Sequence, residues 1–559
     1  MLEEAFEAIR SGFPLVLLAV VPAMVLIISP IAVVDAAHEF TVYRMQQYDL
    51  QGNSYGCKSA AISAEARTID SSSIARKCVL LRADEVAHGK YLEVLDRGPS
   101  SVVILLQSNM SKEEVQVGGR FISFEAELLA LESNIPVYFA YENEDLKDVY
   151  SRVSHSTKQE SGSALQAVVD SATSVGYQLV TVSPQNKALP DQKLVNIQGV
   201  LHGLGVEDQL PAIVLVAHYD SFGVAPMLST GANSGSTGAV AMLEIARILG
   251  KLYSNSRTHP RYNVLFLLSG GGKFNYQGSR KWIEDAADTT GSSSLSNTKL
   301  VLCMEALGSE DSKSLQMHVS KPPSSNSVAH SMYSYMEKVR LAVESHPDYE
   351  MSMVHKKIRL SSDSLSWEHE RFSIRRLHAA TLSSLAEHTD PARRSILDTK
   401  DQVSVDNLVR NIGIITDSLI RQLYNISHND TFDLMTGDLS VQRDKVQSWL
   451  EFLSSQARPA QVMGEDHAVV TALATELSNH VRGVQKVAFK ADKRDPEFMF
   501  YDGLSFQMSA SIVRSAVFDL YVTVLVAGYI TTIYFFVMKF NLFLSMVKKV
   551  GAFQKIKVH

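Results

Sequence analysis

Two long apolar runs stand near the ends of this chain, and between them hydrophobic positions recur with strand and helix periods. Residues 13–34 carry no charge over 22 positions, interrupted only by Pro14, Pro22 and Pro30 among apolar or small residues. Their length, and the small residues around 34–36, suit either a signal peptide or an uncleaved anchor over 1–36. Residues 520–538 form a second run, read as a transmembrane helix with Tyr521 and Tyr534 as interface aromatics. Between the runs, 102–106 and 135–140 read as buried strands flanking a helical stretch at 125–132, hence a small α/β unit over 40–160. Residues 151–163 are polar and Ser-rich, the pattern of a linker or exposed loop. From 164 to 428 strands and helices alternate, which predicts a mixed, mostly parallel sheet wrapped by helices. Within it, 212–217 is a short β-branched run, 239–249 has a helical pattern and 263–268 is again a strand. After Asn429, 441–456 and 467–487 read as amphipathic helices. Val470, Leu473, Leu477, Val481 and Val484 fall on one face of the second, so 429–515 is expected as a helical stalk.

Charge changes the picture at one end only. The 559 residues carry a formal charge of −7, and no basic stripe crosses the central region, which excludes nucleic acid as a partner class. The tail at 539–559 holds Lys539, Lys548, Lys549, Lys555 and Lys557 and no acidic residue. The positive-inside rule then predicts a cytosolic C-terminus and a lumenal or extracellular 40–515. Sequons at Asn109, Asn425 and Asn429 fall on that side. Lys555 and Lys557 fit a K-x-K-x-x endoplasmic-reticulum retrieval signal. Cys57, Cys78 and Cys303 are too few for a disulfide framework. Cys57 and Cys78 are suited to pair in an oxidising lumen, whereas Cys303 reads as a buried small hydrophobe.

The candidate chemistry sits after the 212–217 strand. His218 ends that strand and Asp220 follows two residues on, the arrangement in which an imidazole binds zinc and a carboxylate orients it. Gly231-Ala-Asn-Ser-Gly-Ser-Thr-Gly238 then leads into a helix, and Ser269-Gly-Gly-Gly-Lys-Phe-Asn-Tyr-Gln-Gly-Ser279 follows a strand. The order and spacing resemble the M28 family of zinc aminopeptidases, whose sites use two His, three carboxylate ligands and a Glu base. That resemblance places His218 at the first ligand position and Asp220 behind it. Asn233 and Ser234 stand where the bridging Asp belongs, and Gly272 and Lys273 where the Glu pair belongs. Glu305 stands at the next Asp position, and Arg394 at the last His position, with His388 upstream as a displaced match for it. A Lys and an Arg bring the metals' own sign of charge, and the base that would take a proton from metal-bound water is gone. The resemblance therefore implies an M28-like fold with no cofactor, no metal site and no catalytic residue.

Two other motifs add little. Trp367-Glu-His-Glu-Arg371 is not H-E-x-x-H and reads as a surface or packing segment. Ser269-Gly-Gly-Gly272 lacks the G-K-[ST] of a phosphate loop.

Inactive M28-like domains with one C-terminal span resemble the nicastrin and nicalin families. Residues 35–50, 217–226, 269–278, 318–323, 367–371 and 490–498 are similar to nicalins in particular. That resemblance implies a single-pass type I scaffold of the endoplasmic reticulum membrane. Its implied partners are Nodal modulator, a small polytopic membrane protein and the ribosome-associated translocon for multipass proteins, with a role in modulating Nodal signalling. Two alternatives stay open: an active zinc aminopeptidase, and a receptor that binds peptides in the old cleft without cutting them.

Overall fold

The computed structural model describes residues 38–107, 120–159, 175–182, 184–206, 209–288, 293–342, 349–362, 364–427, 430, 434–494, 496–514 and 516–539. The expected N-terminal segment 1–36, the sequons at Asn109 and Asn429, and the tail with Lys555 and Lys557 lie outside them.

An eight-stranded mixed sheet organises the larger half of the molecule. Ala212–His218 lies inside it, parallel to Asn263–Ser269 on one side and to Thr298–Met304 on the other. All seven residues of Ala212–His218 are buried. An unbroken apolar run of this kind is what a parallel strand covered on both faces requires. Ala379–Ser383 continues the parallel part. Ser314–Val319 and Glu350–His355 extend one edge, and Leu194–Leu201 and Arg482–Phe489 the other. Helix Thr237–Ser254 is buried on nearly every side. It packs with Val405–Tyr424 and Ala468–His480 in one continuous core beneath the sheet.

The smaller half is a closed barrel. Its strands are His38–Arg44, Ser63–Thr68, Cys78–Arg82, Ser101–Leu106, Val137–Tyr141, Val175–Thr181 and Ser505–Arg514. The unit expected over 40–160 is thus closed by two strands from outside that range, because Ser505–Arg514 bridges His38–Arg44 and Val175–Thr181. A five-stranded sheet lies alongside. In it Gly56 has φ +85°, and a Cβ there would overlap the Gln46 carbonyl, so only glycine fits. Met45, Tyr48, Phe124, Phe222, Val224 and Ile396 share one core, which joins the two halves.

Four expectations need correction. Residues 151–159 are the second half of helix Glu144–Gln159 rather than a linker. The segment expected as a helical stalk contains helices Arg443–Ser454 and Ala468–His480, then strands Arg482–Phe489, Phe498–Tyr501 and Ser505–Arg514. The helix expected over 467–487 stops at His480, ahead of Gly483 at φ +62°. The residues beyond it pair with Leu194–Leu201; Val481 caps the helix, and Val484, which continued the helical stripe, lies in a strand instead. Finally, Cys57 and Cys78 are unpaired and buried in different cores.

Helix Ala516–Met538 covers the stretch in which a membrane span is expected. Side chains at 516–519, 521–522 and 536–537 lie outside the description. Among the described residues no helix is long and apolar enough to cross a membrane, so the span stays an expectation from the sequence.

Candidate functional site

Three strands of the large sheet end side by side and deliver the site. His218 closes the first with its side chain fully buried. Its Nδ1 lies 3.4 Å from Glu368 Oε2, and its Nε2 lies 3.9 Å from Glu305 Oε1 without a hydrogen bond. Asp220 accepts from the backbone N–H of Gly272 at 2.8 Å and of Lys273 at 3.4 Å. The Ser269–Gly272 turn therefore closes its backbone over the strand end. Gly271 within it, and Asn275 and Tyr276 just after it, take left-handed φ values. Gly272 lies directly against the imidazole: a Cβ there would sit 2.3 Å from His218 Cβ and Cγ.

Glu305 is the centre of the cluster. Lys273 Nζ donates to its Oε1 at 2.7 Å. Arg393 Nε and Nη2 donate to Oε1 and Oε2 at 2.9 and 2.8 Å, the bidentate fork that suits a carboxylate. The same guanidinium donates to the Ser366 and His388 carbonyls and the Tyr276 hydroxyl, and stacks 4.1 Å from the Trp367 ring. All three charges are buried. Burial alone would push the Glu305 carboxyl up; Arg393, Lys273 and His218 outweigh it and hold it well below the usual carboxylate range. Burial pushes Lys273 down and Asp220 up.

Several candidates are placed differently from expectation. Asn233 and Ser234 do not hydrogen-bond to this cluster; their backbone N–H groups hold the buried Asp398 at 2.7 and 2.9 Å. Arg394 is exposed and lies over the Phe222 ring, 5.6 Å away. Its neighbour Arg393 is the one that enters, because the 3-10 turn Pro391–Arg394 points adjacent side chains apart. Of the two readings of 367–371, surface or packing, the structure shows packing: Glu368, His369 and Glu370 are each 1 % exposed. Glu368 accepts from the Ser269 and Ser279 hydroxyls, and His369 pairs with Thr381 at 2.9 Å. Burial lowers His369 to about 3 and His318, stacked on Trp367, to about 4.

Arg458 was not legible as a site residue. It is fully buried, and its side chain donates to the carbonyls of Tyr219, Gly231 and Leu453 and to the Ser236 hydroxyl. It thereby ties the chain after Ser454 to the loops on both sides of the site. Beside the cluster lies a cavity of about 460 Å³, bounded by Asn233, Ser234, Ser384, Arg393 and Asp398 and by Ile122 of the smaller half.

An M28-type site implies zinc, and the residues present do not fit it. Both oxygens of Glu305, the carboxylate nearest His218 Nε2, are committed to cations. A divalent ion there would face Lys273 and Arg393 at close range in a low-dielectric interior. Among the described residues, no three His, Cys, Asp or Glu side chains are grouped to hold a metal ion.

Comparison with known proteins gives the lineage. The model of Peptidase family M28 matches residues 196–412. "BOS complex subunit NCLN" of Homo sapiens is 43% identical over 560 residues, covering 98% of this chain and 99% of that protein. "Nicalin" of Caenorhabditis elegans is 29% identical over 518 residues, 89% of each. Among solved structures, the gamma-secretase component nicastrin aligns over 85% of this chain and 99% of its own, with a TM-score of 0.56 and 10% identity. That last likeness concerns the fold alone.

Proposed function

The chain belongs to the nicalin family, and from that premise we propose that it works without catalysis, as a BOS complex subunit held in the endoplasmic reticulum membrane. The observation that carries the non-catalytic reading is the ion cluster at Glu305. Lys273 and Arg393 supply buried positive charge where an M28 enzyme would place metal, and neither can act as a base toward water while bonded to Glu305. The peptidase fold then serves as a rigid lumenal body.

In this reading helix Ala516–Met538 spans the membrane, the bulk of the chain is lumenal, and the Lys-rich tail is cytosolic. The lumenal body would contact Nodal modulator and the span a small polytopic membrane protein, in association with the translocon for multipass proteins. Co-purification of the polytopic protein that survives deletion of 516–539 would count against that assignment.

The cavity of about 460 Å³ beside Asp398 favours, as a second reading, a groove that holds peptide without cutting it. Retention of free-amino-terminal peptides by the purified chain separates it from the first.

The direct test is elemental analysis with an aminopeptidase assay on the full chain in detergent. Substoichiometric zinc and no turnover are expected. Stoichiometric zinc, with turnover abolished by His218→Ala, would sink the proposal.

A second expected result concerns topology. Asn425 is exposed at the C-terminus of helix Val405–Tyr424, in the left-handed cap conformation. We expect peptide N-glycosidase to shift the mobility of the chain made in cells, with part of the shift lost in Asn425→Gln. An unchanged shift in that variant removes Asn425 as an acceptor.

A further inference from the structure

The seam between the two halves is largely apolar, with rings and aliphatic groups of both packed together. One carboxylate is buried in it. Glu125, in helix Arg120–Ala130 of the smaller half, is 1 % exposed. Its Oε1 accepts from the backbone N–H of Val224 and of Ile396, each at 2.9 Å, and its Oε2 accepts from the Ser395 hydroxyl. Val224 lies four residues after Asp220. Ser395 and Ile396 lie between Arg393 and Asp398. One side chain of the smaller half therefore holds both loops that frame the cluster. Ile122, one turn earlier on the same helix, lines the cavity that opens there.

We propose that Glu125 is a protonation-dependent latch on this seam: neutral, it locks the helix onto the 222–225 and 395–398 loops, and ionised, it lets them part. The geometry isolates the carboxyl from compensating charge. Of the groups packed around its helix, Arg393 is committed to Glu305, and Arg394 lies over Phe222. On strand Asn53–Cys57, the Cys57 thiol donates to backbone carbonyls and Tyr55 stacks on Tyr48. Tyr91 packs edge-on to Phe124. Glu127, on the same helix, is paired with His88. Among the described residues no cation bonds Glu125.

Burial pushes this carboxyl up to about 7, against bonds from Ser395, Val224 and Ile396 that favour the anion. The sign follows from linkage. The docked state holds a proton more tightly than an open one, whose value is near 4.5. The seam is therefore tightest below that lower value and weakens as pH rises toward about 7, by up to about tenfold per pH unit. Above about 7 the loss is complete and levels off.

Glu125→Gln is the informative variant. Its Oε1 can still accept both N–H groups and its amide can donate to Ser395 Oγ, so it imitates the neutral acid at every pH. Glu125→Ala removes the bonds altogether. The measurement is hydrogen–deuterium exchange of the full chain in detergent between pH 5.5 and 8, corrected for the intrinsic pH dependence of exchange. The readout is the peptides covering 120–130, 222–225 and 395–398. In the wild type we expect their opening to rise roughly tenfold or more across the range. In Glu125→Gln it should stay flat, and at pH 8 lower than in the wild type. Helix Thr237–Ser254 reports in each case that the fold is intact. A pH profile shared by wild type and Glu125→Gln overturns the latch. So does Glu125→Gln opening as readily as Glu125→Ala at pH 8. If Glu125→Ala does not fold, the wild type and Glu125→Gln decide the matter between them.

Discussion

Replacing Glu305 by Gln should be among the most damaging single changes available to this fold, costing about 3–5 kcal/mol of stability in chemical denaturation. The figure follows from what remains behind. Lys273 and Arg393 are both buried, and Glu305 is the acid that bonds each of them. Without it, two like charges face each other in an interior that cannot solvate them. Lys273→Met should cost far less, since Arg393 still neutralises Glu305 through two bonds. The decisive arm is the double variant. In the Glu305→Gln background, removing Lys273 relieves repulsion, so Lys273→Met/Glu305→Gln should be more stable than Glu305→Gln alone. Additive losses would mean that the cluster contributes only packing.

Two of the buried glutamates, Glu305 and Glu125, predict opposite responses to acid. Glu305 is held well below 4.5, so its contribution is present above that value and is lost only as pH falls through the much lower folded value. Glu125 is raised to about 7, and its docking improves as pH falls toward 4.5. Mild acid should therefore leave the Glu305 cluster intact while tightening the seam. The difference is one of partners. Glu305 meets two cations, whereas Glu125 meets only neutral donors, which do not offset the cost of burying its charge.

Much of this arrangement was legible along the chain, for reasons that also mark the limits. The 212–217 run and the glycine-rich turns are local signals, since an unbroken β-branched run and left-handed turns each need particular residues in sequence. They marked the strand end that carries His218 and Asp220, and the resemblance to M28 enzymes pointed to Gly272, Lys273 and Glu305. The partners that arrive from far away carried no such signal. Glu368 meets the Ser269 and Ser279 hydroxyls across 99 and 89 residues, and Arg458 reaches Tyr219 across 239. A charged Trp367–Arg371 segment reads equally as surface or packing until the sheet that buries it exists. Arg394 and Arg393 differ by one position in a 3-10 turn, and spacing cannot choose between them. The helical stripe at 467–487 failed for a related reason. A helix-period stripe overlaps a run of valines, which favour strands, and pairing with Leu194–Leu201 decided in favour of a strand from Arg482 onward.

Introducing an acidic pair by Gly272→Glu/Lys273→Glu should not create an enzyme. At 272 the obstacle is steric. Any Cβ would stand 2.3 Å from His218 Cβ and Cγ, and His218 belongs to a strand hydrogen-bonded on both sides, so it cannot withdraw cheaply. Overpacking of this kind costs about 1–3 kcal/mol and sometimes more. At 273 the obstacle is electrostatic. A glutamate there would set a second carboxylate against Glu305, with Arg393 as the counterion left to both. We therefore expect the double variant to unfold at lower denaturant than the wild type, bind substoichiometric zinc and hydrolyse no aminoacyl substrate. Stoichiometric zinc in that variant would show that the strand end relaxes more readily than its packing implies. The converse result carries the larger point. If the pair cannot be accommodated, the packing of Gly272 onto His218 is what keeps acids out of this strand end. The site would then be a rebuilt interior, held by Lys273, Glu305 and Arg393, rather than a metal site awaiting its ligands.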